Sequence, residues 1–403
     1  MKIIAHVDAD CFYVSCERVR DRTLIGKPVC VLGNQGACVI ARSYEMKPFG
    51  VTVGMPIWKA RQLCPEAVYV KRDFQWYGAV SHAMQDIFKS YSDRVEFYSV
   101  DESFIDFGNY EGDLSKLGYK MQNEILEKLH IPVSVGISLT RTLAKICSDK
   151  NKPFGLKVVT PENLEEFLKS TTVSEICGVG EKLAGRLKNQ MIETCFDFVS
   201  TPAKRIKSIL NKPGEEIWYE LQGKSILEIK DAKPQRKVIS RGGSLWGHHK
   251  DPKYIFGFLM RNLERFCESL LKEEVEIGVF TLLLQTQKGE CFKVVENLSD
   301  FTSDFGVLTE ALKRAVKKMF ILGETYSYCH LIGSPVRSTY AKQMSFFGLE
   351  DERRTRIYQI KQNINEKHGL FTLRSASTAY ANKVFKDKAS DYEIVDIAGK
   401  ICF

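Results

Sequence analysis

Short apolar runs that end on acidic residues dominate the first third of the chain. Ile3–Val7 is mostly apolar and leads straight to Asp8, while apolar and aromatic residues flank Asp101 and Glu102 on both sides. The first pattern predicts a buried strand that carries Asp8 at its end, and the second predicts two short strands that meet at a polar tip. Neighbouring residues of a straight strand face opposite sides, so Asp101 and Glu102 can share a ligand only where the chain bends. A hairpin tip supplies that bend.

The remaining pattern predicts an α+β protein. Strands are expected at residues 29–33, 37–41, 133–137, 275–286, 292–297 and 328–333, and helices at residues 57–63, 77–91, 117–129, 255–270, 308–320 and 356–367. A further helix is expected to begin at Thr160-Pro161-Glu162, and Thr172 with Glu175 predicts a capping box. In the second half of the chain, helices are expected on one face of an antiparallel sheet.

Size and composition narrow the class of protein. A chain of 403 residues exceeds what one core normally organises, so several domains are expected. No apolar run is long enough to span a membrane, and the N-terminus is unlike a signal peptide. The 12 cysteines form no Cys-x-x-Cys pair, which predicts reduced core cysteines in a cytoplasmic protein. A net charge of +8 permits nucleic-acid binding without proving it.

The acidic residues predict a metal site if the two strand ends meet. Three carboxylates, Asp8, Asp101 and Glu102, cannot all be ionised at close range without a compensating charge. Mg²⁺ is a natural compensator, since it prefers a few carboxylates together with phosphate oxygens. For the Asp-Glu pair alone, the alternative is an acidic turn between solvated strands.

Two motifs carry a resemblance to a known family. The run Asp8-Ala9-Asp10-Cys11-Phe12-Tyr13 and the run Tyr98–Asp106, with the spacing between them, resemble the Y-family translesion DNA polymerases of the UmuC/DinB type. The resemblance extends from the N-terminus to about Pro335. Cys16-Glu17 and residues 37–43 look nearer to the UmuC branch, whereas Tyr44 fits the DinB pattern better.

The resemblance implies a right-hand polymerase of α+β class, with a mixed palm sheet plus helices, small fingers, a helical thumb and an α+β little finger. Its implied domains are the palm at residues 1–18 and 74–160, the fingers at 19–73, the thumb at 161–230, a linker at 231–238, the little finger at 239–336 and a C-terminal tail at 337–403.

The family's catalytic residues fall on positions that match its motifs. The resemblance implies that Asp8, Asp101 and Glu102 hold two Mg²⁺ ions, with Mn²⁺ as a substitute and the Ala9 carbonyl as an extra ligand. It implies that Tyr13 is a steric gate against ribonucleotides. The implied nucleotide-binding residues are Phe12, Tyr13, Tyr44, Lys47 and Lys152.

The sequence leaves alternatives for several other acidic residues and lysines. The role of Asp10 stays open, and alternation along the strand makes Asp106 a structural residue. Many relatives carry Arg where this chain has Lys47, and Lys lacks the bidentate fork. On spacing alone, a solvated lysine beyond a helix end explains Lys152 equally well.

Later segments fit DNA and clamp binding. Gly178, Val179, Gly180 and Lys182 resemble a helix-hairpin-helix turn, whose backbone N–H groups contact a DNA phosphate, although a plain helix connection has similar features. Arg241 is a further candidate for the DNA backbone. The resemblance also identifies Gln343, Met344, Ser345, Phe346 and Phe347 as a bacterial sliding-clamp pentapeptide; the alternative is that the two phenylalanines fold back onto their own domain.

The expected function is template-directed DNA synthesis of low fidelity in translesion or SOS-type damage tolerance, without proofreading. The expected partners are primer-template DNA, dNTP and the clamp, with a UmuD-like accessory protein and a recombinase filament if the chain is UmuC-like. Two other classes of protein would each explain part of the sequence. A nucleotidyl cyclase explains the acids but not the later segments, and a non-catalytic DNA-binding scaffold explains the later segments but not Asp8 and Asp101.

Overall fold

A computed structural model describes residues 2–33, 38–230, 236–341, 352–368 and 372–382. The chain forms two compact units, one built from residues up to 233 and the other beginning at residue 234. The described helices include none that is long and apolar enough to cross a membrane.

The first half of unit one alternates strands and helices. Its elements are β1 Lys2–Ala9, α1 Phe12–Arg20, β2 Val29–Leu32, β3 Val39–Arg42, α2 Ile57–Leu63, β4 Val68–Lys71, α3 Phe74–Lys89, β5 Val95–Phe97, β6 Glu102–Asn109, α4 Leu114–Leu129, β7 Val133–Ser138, α5 Arg141–Lys150 and β8 Leu156–Val158. Helices α3 and α4 begin three residues before their predicted starts, because Asp73 and Asp113 cap them through their side chains.

A five-stranded mixed sheet organises this half, in the order β5-β6-β1-β7-β8. The central strand β1 runs antiparallel to both β6 and β7, while β7 and β8 are parallel. β5 and β6 form the predicted hairpin, with Phe97 opposite Ser103 and the acidic tip between the strands. The predicted meeting of two short strands at a polar tip is confirmed.

Both faces of β1 are buried, and they face different layers. Ile3, Ala5 and Val7 pack in one core with α3 and α4, where Met84 and Met121 are buried. Ile4 points to the other face, with Phe104 and Ala144 of α5. Because alternate residues share a face, Asp8 belongs to the face that α5 covers.

A second, smaller sheet follows α1. It has the order β3-β2-β4, with β2 antiparallel to β3 and parallel to β4. Helix α2 covers it through Ile57 and Ala60, which are buried in its core. The predicted turn at residues 34–36 lies outside the described residues.

The rest of unit one is helical: α6 Leu164–Lys169, α7 Glu181–Lys188, α8 Cys195–Ser200 and α9 Ala203–Leu221. The helix expected from Thr160-Pro161-Glu162 is wrong at its start, since the backbone turns there and α6 begins only at Leu164. Asn163 Oδ1 accepts the Thr160 N–H at 2.9 Å, which holds that turn. The capping box between Thr172 and Glu175 is confirmed. α9 is interrupted at Asn211, two residues before Pro213.

Unit two is an antiparallel sheet with helices against it. Its elements are β9 Ile239–His249, α10 Pro252–Lys272, β10 Val275–Thr286, β11 Cys291–Thr302, α11 Phe305–Met319, β12 Tyr326–Gly333 and β13 Val336–Ser338. The sheet order is β11-β10-β12-β9, and β13 pairs with the start of β10. This matches the expected α+β arrangement.

Two short segments near the C-terminus pack on α10. They are the helices α12 Glu352–His368 and α13 Ala379–Asn382. Lys361 pairs with the buried Glu264 of α10 at 2.7 Å, and the Ser375 N–H donates to the same carboxylate. The predicted clamp peptide at residues 343–347 lies outside the described residues.

Candidate active site

Asp8 and Glu102 lie directly opposite each other on paired strands. They are partners in the register of β1 and β6, so their side chains share one face of the sheet. Asp8 is only 4% exposed. The sequence predicted that acids from these two segments would meet, and the structure brings Asp8 and Glu102 together.

A third carboxylate, which the sequence analysis missed, joins this pair. Asp149, near the end of α5, offers an oxygen to a group with Asp8 and Glu102 whose ligand atoms all lie within 4.8 Å of one another. Among the described residues this is the only such group of acidic, histidine or cysteine side chains. We call Asp8, Glu102 and Asp149 the acid cluster. Its carboxylate oxygens are ligands that fit a hard divalent cation.

Two lysines contact the acid cluster. Lys152 Nζ lies 2.6 Å from Asp8 Oδ2 and 3.3 Å from Asp149. Lys145 Nζ lies 2.5 Å from Glu102 Oε1 and 3.5 Å from Asp149. The spacing of Lys145, Asp149 and Lys152 in and just after α5 was the signal that could have revealed Asp149, because i,i+4 and i,i+3 neighbours on a helix share a face.

The pKa values of Asp8 and Glu102 shift in opposite directions. Burial raises the pKa of Asp8 to about 8, against the opposing charge of Lys152. Burial also acts on Glu102, but the hydrogen bond and charge of Lys145 outweigh it and hold the pKa of Glu102 below its usual value. Asp8 therefore takes up a proton more readily than its neighbour, and a cation binding there competes with a proton and with Lys152.

Asp101 lies at the hairpin tip, outside the acid cluster. Its carboxylate accepts a hydrogen bond from Ser99 Oγ, and its carbonyl accepts the Ala9 N–H at 2.9 Å. Burial and then the charge of Asp101 raise the pKa of the Tyr13 hydroxyl. The metal role of Asp101 and of the Ala9 carbonyl stays a prediction.

The two other nearby aspartates are buried and paired with protein groups. Asp106 contacts Lys2 and Arg94, as expected for a structural residue. Asp10 follows β1 and accepts hydrogen bonds from Tyr44, Ser134 and Phe154.

The aromatic residues after Asp10 form a stack beside the site. Tyr13 is partly buried, and its ring lies 4.5 Å from that of Tyr77 in a stacked arrangement. Phe74, 54% exposed, contacts the Tyr13 ring edge-on. Phe12 is buried in the core. A partly exposed, well-supported ring is what a steric gate requires, so the structure is compatible with the predicted role of Tyr13.

Tyr44 and Lys47 lie together in the smaller sheet region. The Lys47 ammonium lies 4.3 Å from the centroid of the Tyr44 ring, a cation–π distance. The Tyr44 hydroxyl donates to Asp10 Oδ1 at 3.1 Å.

The predicted DNA-contacting residues lie on the turn before α7, in the first turn of α7 and on β9. Gly178 has φ 92°, a left-handed conformation that favours glycine, and Gly180 precedes α7 as its N-cap. Lys182 is exposed, while Val179 is buried. In unit two, Arg241 on β9 donates to Ser269 of α10. Their contacts with DNA stay predictions.

Comparisons with known proteins point to one family. A sequence model described as the impB/mucB/samB family matches residues 7–149. The chain is 37% identical over 235 residues to DNA polymerase IV of Sulfurisphaera tokodaii, covering 56% of this chain and 67% of that protein. It is 33% identical over 304 residues to DNA polymerase IV of Clostridioides difficile, covering 73% and 82%. With DNA polymerase IV 1 of Bacillus subtilis it shares 26% identity over 392 residues, covering 94% and 93%.

Solved structures similar to this chain are also DNA polymerases. A Y-family polymerase chimera of Dbh and Dpo4 superposes with a TM-score of 0.70 at 27% identity, covering 83% of this chain and 99% of the chimera. An insertion ternary complex of Dbh DNA polymerase gives a TM-score of 0.56 at 27% identity, with coverage of 83% and 99%. The mixed sheet, the acid cluster and these relatives define a DNA-directed DNA polymerase. The chain belongs to the Y family of translesion polymerases.

Proposed function

We propose that this chain extends primed DNA across damaged template positions with low fidelity and without proofreading, in SOS-type damage tolerance in the cytoplasm. The observation that carries the proposal is the meeting of Asp8, Glu102 and Asp149 at the end of the central strand, with Lys152 and Lys145 against them. Relatives solved as ternary complexes support primer-template DNA and dNTP as its substrates.

Metal is the first requirement of the proposed reaction. We propose that Asp8, Asp101 and Glu102 bind two Mg²⁺ ions, for which Mn²⁺ can substitute, with the Ala9 carbonyl as a further ligand. Such ions, when bound, activate the attacking oxygen and stabilise the leaving one. The donor set fits this chemistry, because all the side-chain groups are oxygen ligands.

The chain's own residues would position the nucleotide. The Lys152 ammonium lies 2.6 Å from Asp8, and we propose that it neutralises phosphate charge beside the acids. Lys47 would supply a second cation, and Phe12 and Tyr44 would also bind the nucleotide. Tyr13 would bring its ring against the sugar, where a ribose 2′-hydroxyl clashes with it.

Domain roles follow the family pattern. We propose a palm at residues 1–18 and 74–160, fingers at 19–73, a thumb at 161–230, a linker at 231–238, a little finger at 239–336 and a tail at 337–403. The thumb turn at Gly178, Val179, Gly180 and Lys182 would contact a DNA phosphate through backbone N–H groups. Arg241 would add a contact from the little finger.

The proposal also covers recruitment by the sliding clamp and the branch of the Y family, UmuC or DinB, to which the chain is nearer. Residues 343–347 would bind the bacterial sliding clamp through their aromatic anchors. A UmuD-like protein and a recombinase filament are partners only on the UmuC side. One similar structure is a DinB protein from Sulfolobus solfataricus, with a TM-score of 0.55 at 27% identity, covering 83% of this chain and 99% of that one. Its similarity favours the DinB side, on which purified protein extends DNA alone.

The test is extension of a primed template by the purified chain with dNTP, with and without Mg²⁺. Extension that needs Mg²⁺, primer and template together supports the proposal. Product formed from nucleotide alone supports the nucleotidyl cyclase instead, and DNA binding without any extension supports the scaffold. Asp8→Asn is the matched variant, and it should bind DNA yet not extend it.

A further inference from the structure

Asp10, two residues beyond Asp8, is a buried carboxylate whose oxygens are all directed at protein donors. It is 2% exposed. Its Oδ1 accepts hydrogen bonds from the Tyr44 hydroxyl at 3.1 Å and from Ser134 Oγ at 3.0 Å. Its Oδ2 accepts the backbone N–H of Phe154 at 2.7 Å. Asp10 is not a member of the acid cluster.

These donors belong to three separate parts of unit one. Tyr44 follows β3 of the smaller sheet, Ser134 lies on β7, and Phe154 follows Lys152 in the loop after α5. One side chain thus ties the smaller sheet to the loop that carries Lys152. Charge-assisted hydrogen bonds of this kind are stronger than neutral ones.

Two residues beside this carboxylate have a backbone in the left-handed conformation. Cys11, next to Asp10, has φ 46°, and Phe154 has φ 48°. Residues other than glycine rarely adopt this left-handed conformation, which costs energy. Strain of this sort persists where surrounding contacts hold it, often at functional sites. Here the Asp10 network supplies such contacts.

Two lysines depend on the groups that Asp10 holds. Lys47 lies over the ring of Tyr44, and Lys152 lies two residues before Phe154. The single hydroxyl proton of Tyr44 is donated to Asp10, so Tyr44 has no proton left to donate to a phosphate while this bond persists. Tyr44 then acts through its ring, as a support for Lys47.

We propose that Asp10 is a positioning residue for the incoming nucleotide, which sets Lys47 through Tyr44 and Lys152 through the backbone of Phe154. This inference rests on the proposed polymerase function. It assigns Asp10 no contact with the metal ions or with the reacting atoms.

The amide variant separates this role from metal binding. In Asp10→Asn the side-chain oxygen can still accept the Phe154 N–H, and the new NH₂ group can donate to the hydroxyls of Tyr44 and Ser134, since hydroxyls also accept. The network therefore survives the loss of charge. A metal ligand would not tolerate the same change, because the carboxylate charge would be missing.

The experiment measures dNTP affinity on a primer that ends in a dideoxynucleotide, so that no chemistry follows binding. Asp10→Ala should weaken dNTP binding by about tenfold or more, the scale of losing hydrogen bonds to a charged group. Asp10→Asn should stay within about threefold of wild type, and Tyr44→Phe should fall between them, because it loses one hydrogen bond and keeps the ring. Mn²⁺ affinity should be unchanged in Asp10→Asn and Tyr44→Phe, which leave the Phe154 N–H and therefore Lys152 in place.

Hydrogen exchange supplies a readout independent of nucleotide. Asp10→Ala should speed exchange of the Phe154 amide, while Asp10→Asn should not. Wild-type dNTP affinity in Asp10→Ala, or loss of Mn²⁺ affinity in Asp10→Asn, would overturn the inference. If Asp10→Ala fails to fold, Tyr44→Phe and Asp10→Asn still decide it. Failure of the wild-type chain to extend DNA would instead sink the proposed function, with the exchange result unaffected.

Discussion

Two acidic regions at opposite ends of the paired strands β1 and β6 differ in charge balance. Near the start of β1, one carboxylate, Asp106, lies between two cations, with Lys2 Nζ and Arg94 Nη1 at 3.4 Å and 3.1 Å from its Oδ2. At the other end, the three carboxylates of the acid cluster face two lysines.

The comparison shows that burial and ion pairing do not by themselves mark a metal site. Both regions have a buried aspartate with a close ammonium or guanidinium group. Only the acid cluster has more carboxylates than cations, so full ionisation leaves an uncompensated negative charge that a divalent cation can neutralise. The Asp106 region has the opposite excess and no need for a metal ion.

The largest predicted effect separates the two regions by activity. Asp8→Asn or Glu102→Gln should reduce primer extension by about 10³-fold or more, the scale of removing a preorganised electrostatic group. Asp106→Asn should leave kcat near wild type and lower the free energy of unfolding by about 1–3 kcal/mol, since it breaks an ion pair whose cations are partly exposed. Extension kinetics and denaturant unfolding measure the two effects. Equal losses of activity in both regions would remove the distinction.

The second-largest predicted effect is the loss of discrimination against ribonucleotides when Tyr13 is replaced. Tyr13→Ala should raise the ratio of ribonucleotide to deoxynucleotide incorporation by about 10- to 100-fold, because the ring no longer excludes the 2′-hydroxyl. Tyr13→Phe, which keeps the ring, should retain the discrimination. Competitive primer extension measures the ratio. Unchanged ribonucleotide incorporation in Tyr13→Ala would show that Tyr13 is not the gate.

The acid cluster should show a pH-dependent metal affinity. Because burial raises the pKa of Asp8 to about 8, this carboxyl is protonated below that pH and must lose its proton to bind a cation. Mn²⁺ affinity should therefore rise by about 20- to 30-fold between pH 6.5 and 8.5 and level off above that, as expected when a ligand must be deprotonated. Titrations of Mn²⁺ across this range measure it. A flat profile would contradict the shifted pKa.

The smallest effect tests the third carboxylate. Asp149→Asn reduces the excess of negative charge and removes an acceptor for Lys145 and Lys152. It should raise the Mg²⁺ concentration for half-maximal extension by about 3- to 10-fold, since Asp149 is more exposed than Asp8 and its charge is better screened. Lys150→Ala, next to Asp149 but paired with Glu175, is the control. An unchanged Mg²⁺ requirement would place Asp149 outside the metal site.

Local pattern predicted the acids that lie at strand ends, and it missed what depends on distant packing. Asp8 and Glu102 could be predicted as site residues because Asp8 follows an apolar run and Glu102 lies just before one. Asp149 was not predicted. Its spacing from Lys145 and Lys152 indicates a shared helix face, but its contact with Asp8 and Glu102 forms only when α5 packs on the sheet. The three donors to Asp10 likewise come from segments 34 to 144 residues away.

Two elements of the fold were predicted wrongly from the sequence, each because of a local feature of the chain. Strand β9 was not predicted as a strand, because Gly242 and Gly243 interrupt its apolar pattern. A Cβ at Gly242 would lie 2.7 Å from the Tyr328 hydroxyl and 2.8 Å from the Cys329 carbonyl, so glycine is needed there for close strand packing. The helix expected at Thr160-Pro161-Glu162 was displaced because Asn163 stabilises a turn with Thr160. The α+β class and the hairpin depended on neither detail.

The most direct measurement is Mn²⁺ binding by electron paramagnetic resonance to the wild-type chain, Asp8→Asn and Asp106→Asn at one pH. We expect Asp106→Asn to bind Mn²⁺ like wild type and Asp8→Asn to bind it at least about tenfold more weakly, because only Asp8 belongs to the region with excess negative charge. Wild-type Mn²⁺ affinity in Asp8→Asn would contradict the assignment of Asp8 to the metal site.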